Sequence, residues 1–165
     1  MGFMKIEIAK SSRHSKITGD AAERFVLYWL SKSGFECAYV DHVGIDIIAR
    51  NPYTDEVMGI SVKCRSRSEG AEGTYVSIPN DNIVKIDMAC KAFKCKPYFA
   101  IMIDEAEKIY IFILSKEKLL KMFPRGERVI AWKMTKKHIE KYKTDKAIKI
   151  IELNYDVINW WSRGT

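Results

Sequence analysis

Two side chains in the first half of the chain have the chemistry to handle a phosphodiester. Asp46 stands among isoleucines in Gly44-Ile45-Asp46-Ile47-Ile48, and Lys63 closes Ser61-Val62-Lys63 in the next apolar run. Glu23 lies upstream in Gly19-Asp20-Ala21-Ala22-Glu23. An acid inside an apolar strand needs a partner. A carboxylate can hold a divalent cation, and a lysine can orient the attacking water or neutralise the phosphate. The competing reading is a simple ion pair between Asp46 and Lys63. Glu23 taken alone reads better as an exposed helix residue.

These residues need a scaffold that turns them the same way. Gly44–Arg50 and Val57–Cys64 read as strands joined by a turn that opens at Asn51-Pro52. With Arg50 opposite Val57, Asp46 falls opposite Ser61. Side chains alternate faces along a strand, so Asp46, Ser61 and Lys63 share one face. Ile45, Ile47, Ile60 and Val62 then fill the other face as core. A slip of one residue destroys this pattern. Upstream, Thr18 reads as the N-cap of a helix through Ser33, with Ala22, Phe25, Val26, Trp29 and Leu30 at helical spacing and Gly34 as its stop. Glu36–Asp41 reads as a short strand and residues 65–74 as a polar loop. Tyr75–Ile78 reads as a strand, and Pro79 and Asn80 open a helix to about Lys94. Tyr98–Ile103 and Lys108–Leu114 read as strands. In the last third a short helix begins at Ser115, a strand covers Val129–Met134, a helix follows Thr135, and Ala147–Leu153 is a strand. Trp160 and Trp161 are expected to pack on the body. The whole predicts an α/β domain with a central mixed sheet flanked by helices.

The order helix with Glu, strand with Asp, strand ending x-x-Lys, helix resembles the PD-(D/E)XK nuclease superfamily, which includes archaeal Holliday-junction resolvases and many restriction endonucleases. The resemblance covers about residues 17–115, an αβββαβ core, and leaves about 116–165 as a C-terminal extension of one domain. It implies a metal-dependent endonuclease using Mg²⁺ or Mn²⁺, acting on DNA in preference to RNA. Asp46 and Glu23 would be metal ligands, together with the main-chain carbonyl of Val62, and Lys63 the catalytic lysine. One position departs from the pattern: Ser61 stands where the family carries its second acid. Glu23 is the first substitute for that acid and Asp41 the second. If neither reaches the metal, the fold persists as a non-catalytic nucleic-acid-binding or assembly module. Many relatives are dimers, so the resemblance also allows a homodimer.

Charge points to the same class of partner. The 165 residues carry a net charge of +7, and residues 115–150 alone carry twelve Lys or Arg against four Asp or Glu. A basic segment on a near-neutral body suits a polyanion, with Arg65, Arg67, Lys136, Lys137 and Lys141 as candidate phosphate contacts. On charge alone, a solvated lysine-rich face is the better explanation. No apolar run approaches a membrane span. The four cysteines form no C-x-x-C pair, which argues against structural zinc and fits reduced thiols in a cytoplasmic protein. His14 lies in a basic segment that reads as a flexible arm, and His42 reads as a turn histidine.

Overall fold

The computed structural model describes residues 10–67, 73–105, 107–159 and 161. The elements follow as α1 (His14–Lys32), β1 (Glu36–His42), β2 (Ile45–Arg50), β3 (Val57–Arg67), β4 (Tyr75–Pro79), α2 (Asn80–Phe93), β5 (Lys96–Glu105), β6 (Lys108–Ser115), α3 (Lys116–Met122), β7 (Val129–Lys133), α4 (Lys136–Lys143) and β8 (Lys149–Asn154). Six strands form a mixed sheet in the order β1-β2-β3-β5-β6-β8, and β4 and β7 form a separate two-stranded sheet. Among the described strands of this sheet only β3 and β5 run parallel. The connection between them passes through α2, as a parallel pair requires.

The central strands are apolar on both sides because both sides are covered. Along β5, Phe99, Ile101 and Ile103 join one core with α2, α3, α4, β4 and β7. Ala100 and Met102 join a second core with Ala22, Val26 and Leu30 of α1. Helix α1 thus covers one face alone. The C-terminal third builds much of the other: Trp132 of β7 stacks on Tyr142 of α4 at 4.3 Å, and both meet Phe112 of β6.

Several expectations change. Helix α1 starts at His14, four residues before the expected cap. Thr18 lies inside it, 8 % exposed, and its hydroxyl donates to the His14 carbonyl at 2.6 Å. A threonine that can bond back one turn needs no terminus. The segment read as a flexible arm is therefore the first turn of the helix, and the His14 ring contacts the Ser66 hydroxyl at 3.3 Å. Strand β3 runs on to Arg67 instead of ending at Cys64, because β5 pairs with it in parallel as far as Arg67 opposite Glu105. Trp161 is 83 % exposed and so is not buried against the body, and Trp160 lies outside the described residues. Among the described residues no helix is long and apolar enough to cross a membrane.

Candidate active site

The β2–β3 turn sets the register. Asn51 N–H donates to the Glu56 carbonyl and the Asn51 carbonyl accepts from Asp55 N–H, both at 2.9 Å, while the Asn51 side chain accepts from Tyr53 N–H. Arg50 then pairs with Val57, as the alternation predicts, and the ladder continues to Ile47 opposite Ile60. There it stops. Asp46 does not pair through its main chain with Ser61; its Oδ2 accepts the Val62 N–H at 2.6 Å.

Two local features explain the change at Asp46. Strand β1 pairs Tyr39 with Ile47 and His42 with Ile45, so a bulge puts one extra residue opposite Asp46. Asp41 in that bulge has φ 43, a left-handed conformation. Next to it, Gly44 has φ +97, and a Cβ there would lie 2.3 Å from the Lys85 carbonyl oxygen of α2. Only glycine allows both the angle and the contact, so the turn before Asp46 is seated on α2. The irregularity also moves Ile45. It packs with α2 near Gly59, whereas Ile47, Ile60 and Val62 fill the core under α1. The expected sharing of one face by Ile45 and those three does not hold.

The structure brings Glu23, Asp41, Asp46 and Lys63 into one electrostatic cluster. Burial raises the pKa of Asp46; the Val62 N–H and Lys63 oppose the rise, and Asp41 adds to it. Burial also raises Glu23, against the hydrogen bond from Tyr39, with Asp46, Asp20 and Asp41 adding repulsion. Burial lowers the Lys63 pKa, and Asp46, Glu23 and Asp81 oppose the fall. Ser61 is 4 % exposed in the strand beside them.

Tyr39 and Arg24 belong to this neighbourhood and were not legible as candidates. The Tyr39 phenol is pushed up to about 12, chiefly by its hydrogen bond to Glu23. Arg24 lies over its ring with the guanidinium carbon 3.8 Å from the centroid. Nothing in the local sequence marks a tyrosine on β1 as the partner of a glutamate on α1.

The basic candidates separate. Arg65 is exposed near the end of β3. Arg67 has only 10 % of its side chain exposed; it pairs with Glu105 at 2.9 Å and donates to the carbonyls of Met134 and Gly73. Its guanidinium ties β3, β5 and β7 together and is not free for phosphate. Lys136, Lys137 and Lys141 are exposed on α4, whose Ile139 and Tyr142 pack into the core on the face opposite α1. They are not part of the acidic cluster. The His42 ring meets Phe93 at 5.1 Å. Among the described residues no three His, Cys, Asp or Glu side chains form a ready metal cluster.

No protein-family model and no curated protein matches the sequence. Solved structures do. The Holliday-junction resolvase Hjc of the archaeal hyperthermophile Archaeoglobus fulgidus superposes with a TM-score of 0.50 at 20% identity, over 70% of this chain and 83% of its own. A bacterial homing endonuclease gives 0.46 at 14% identity, over 74% of this chain and 80% of its own. A restriction endonuclease in complex with substrate DNA gives 0.43 at 9% identity, over 96% and 81%. With its six-stranded mixed sheet between helices and its match to the resolvase, the chain has the restriction-endonuclease-like, PD-(D/E)XK, fold.

Proposed function

We propose that the chain is an endonuclease that hydrolyses phosphodiesters in DNA with a divalent metal ion, Mg²⁺ or Mn²⁺. The observation that carries this reading is the meeting of Glu23, Asp46 and Lys63 where β2 leaves β3. The donor set suits a hard cation. Asp46 uses Oδ2 on Val62 and keeps Oδ1 free of that bond. A strand residue points its N–H and C=O the same way, so the Val62 carbonyl is directed to the Asp46 side, where the ladder has ended. Glu23 supplies the second carboxylate. The mutual repulsion of these acids is what a cation would relieve.

A bound Mg²⁺ would polarise the phosphate and acidify a water molecule. The protein's own groups do the rest. Asp46 and Glu23 hold and orient, and Tyr39 fixes the Glu23 carboxylate. Lys63 donates to the attacking water or to a non-bridging phosphate oxygen as negative charge builds, its ammonium form favoured by the acids around it against the effect of burial.

A second reading follows from Ser61. A buried hydroxyl at the usual second-acid position leaves the site one negative charge short, which suits a module that binds nucleic acid without cutting it. The test is cleavage of duplex, branched and single-stranded DNA, and of RNA, with Mg²⁺ or Mn²⁺. Metal-dependent cutting that a chelator stops and Asp46→Asn removes supports the nuclease. Absence of cutting by wild type on every substrate with Mn²⁺ moves the assignment to the binding module.

A further inference from the structure

We infer that the DNA backbone leaves Lys63 along Arg65 and reaches the exposed face of the small β4–β7 sheet, where Lys133, positioned over the Tyr75 ring, receives the next phosphate. This rests on the proposed nucleic-acid substrate for its ligand and on the geometry of β3, β4 and β7 for its path.

Strand β3 carries Lys63, Arg65 and Arg67 at alternate positions, so they share a face at steps of about 7 Å. That step suits successive phosphates of one strand. The three have different fates. Lys63 belongs to the acidic cluster, and Arg67 is locked to Glu105 and Met134. Arg65 remains exposed, and its guanidinium lies against Gly73 so closely that a Cβ there would come within 2.9 Å of it. Two residues on, Tyr75 is 41 % exposed, opposite Lys133 in the ladder. The Lys133 ammonium sits 5.4 Å from the centre of the Tyr75 ring. The sheet around it is held from both sides: Met134 N–H donates to the Thr74 carbonyl at 2.8 Å, and Arg67 bonds both Gly73 and Met134. Arg65 and Lys133 are therefore cations on a tied frame.

The acids near this path are already engaged. Glu105 is paired with Arg67, and Asp104 accepts from Ser66 and Tyr155. On α4 the setting differs. In the hollow that Lys136 lines, Glu107 and Glu140 offset the ammonium groups of Lys136 and Lys108, and Glu105 is already paired with Arg67. A phosphate gains less there, so Lys136 ranks behind Arg65 and Lys133, and Lys141 on the same helix lies off the strands of the path.

The experiment measures binding of fluorescein-labelled duplex and single-stranded DNA in EDTA across a salt series, with cleavage in Mn²⁺ as a separate arm. Arg65→Glu and Lys133→Glu are each expected to weaken binding about tenfold and to lower the salt slope by about one phosphate. Tyr75→Phe should bind as wild type, while Tyr75→Ser should weaken binding about threefold by freeing Lys133. Lys141→Glu should change it less than threefold. Arg65→Gln and Lys133→Gln keep the test intact if a reversal unfolds the chain. Wild-type affinity and slope in the Arg65/Lys133 double variant would overturn the inference, as would a larger loss in Lys141→Glu than in Lys133→Glu. Binding that follows the path without any cleavage keeps the path and removes the nuclease; cleavage with binding indifferent to Arg65 and Lys133 does the opposite.

Discussion

Two hairpins in the same sheet end differently. The β5–β6 hairpin is paired from Tyr98 opposite Ser115 to Glu105 opposite Lys108, and its middle is buried on both faces. The β2–β3 hairpin is paired from Arg50 opposite Val57 only to Ile47 opposite Ile60, and there the strands part. A closed ladder satisfies every main-chain group and leaves side chains only packing to do. An interrupted ladder leaves main-chain groups for side chains to use, and Asp46 takes one of them at Val62. Stability resides in the first hairpin and the candidate chemistry in the second.

The sharpest way to break this contrast is to remove the charge at the fork. Asp46→Asn is expected to cut cleavage at least about a thousandfold, since the metal it anchors contributes several kcal/mol to the reaction. Lys63→Ala should do the same while DNA binding persists. Neither result should come from unfolding. The Asp46 and Glu23 carboxyls have pKa values raised above 3.8 and 4.5, so the folded chain holds these protons more tightly than the unfolded one. The resulting stabilisation is full below those values and is lost as pH rises through the raised folded ones. In EDTA, urea midpoints should therefore fall across that window in wild type and fall less in Asp46→Asn, which should match or exceed wild type at neutral pH. A lower midpoint for Asp46→Asn at pH 7 would mean that the carboxylate serves the fold.

In the closed hairpin the balance should reverse. Phe112→Ala removes a fully buried ring that meets Trp132 and Tyr142, and should cost about 3–5 kcal/mol in urea denaturation. Any variant population that remains folded should cut at the wild-type rate. Gly44→Ala tests the junction of the two properties. The added methyl has no room at Lys85, so stability should drop by about 1–3 kcal/mol and cleavage should fall with it as Asp46 shifts. Unchanged cleavage in that variant would detach Asp46 from the seating on α2.

The smallest effects should come from the acids that share the metal. Glu23→Gln should lower activity about 10–100-fold and raise the metal concentration needed, in line with losses seen when groups around a metal are changed. No loss would pass the role to Asp41. Ser61→Glu returns the usual acid and should hold or raise activity; since Ser61 is buried, a fall in stability there would show that the strand has closed around the smaller residue.

The hairpin register was legible because the alternation of isoleucines and the Asn51-Pro52 turn agree, and both are local. The tail of β3 was not. Arg65-Ser66-Arg67 has the composition of a loop, and it is extended because β5 supplies its partners from far along the chain. Arg67 reads as a phosphate contact for the same reason, since its partner Glu105 is distant in sequence. The start of α1 is ambiguous in sequence because the Thr18 hydroxyl can bond within a helix as well as at its end. The bulge at Asp41 leaves no compositional trace, so alternation alone places Ile45 on the wrong face. Of the acidic cluster, Asp46, Lys63 and Glu23 stood out by pattern, while Tyr39 emerged only when α1 was laid beside β1.

The bulge has a second effect, on what the sheet can join. Among the described residues strand β1 lies at one margin of the six-stranded sheet, and no described strand pairs with its outer row of N–H and C=O groups. Such a margin is a template for a strand from another molecule, and uninterrupted ones seed aggregation. The left-handed turn at Asp41 breaks the row next to Asp46, and Glu36 and Asp41 put negative charge along it. An added strand would lose its register after a few residues. The irregularity that sets the acid in the site also protects the fold from growing by strand addition.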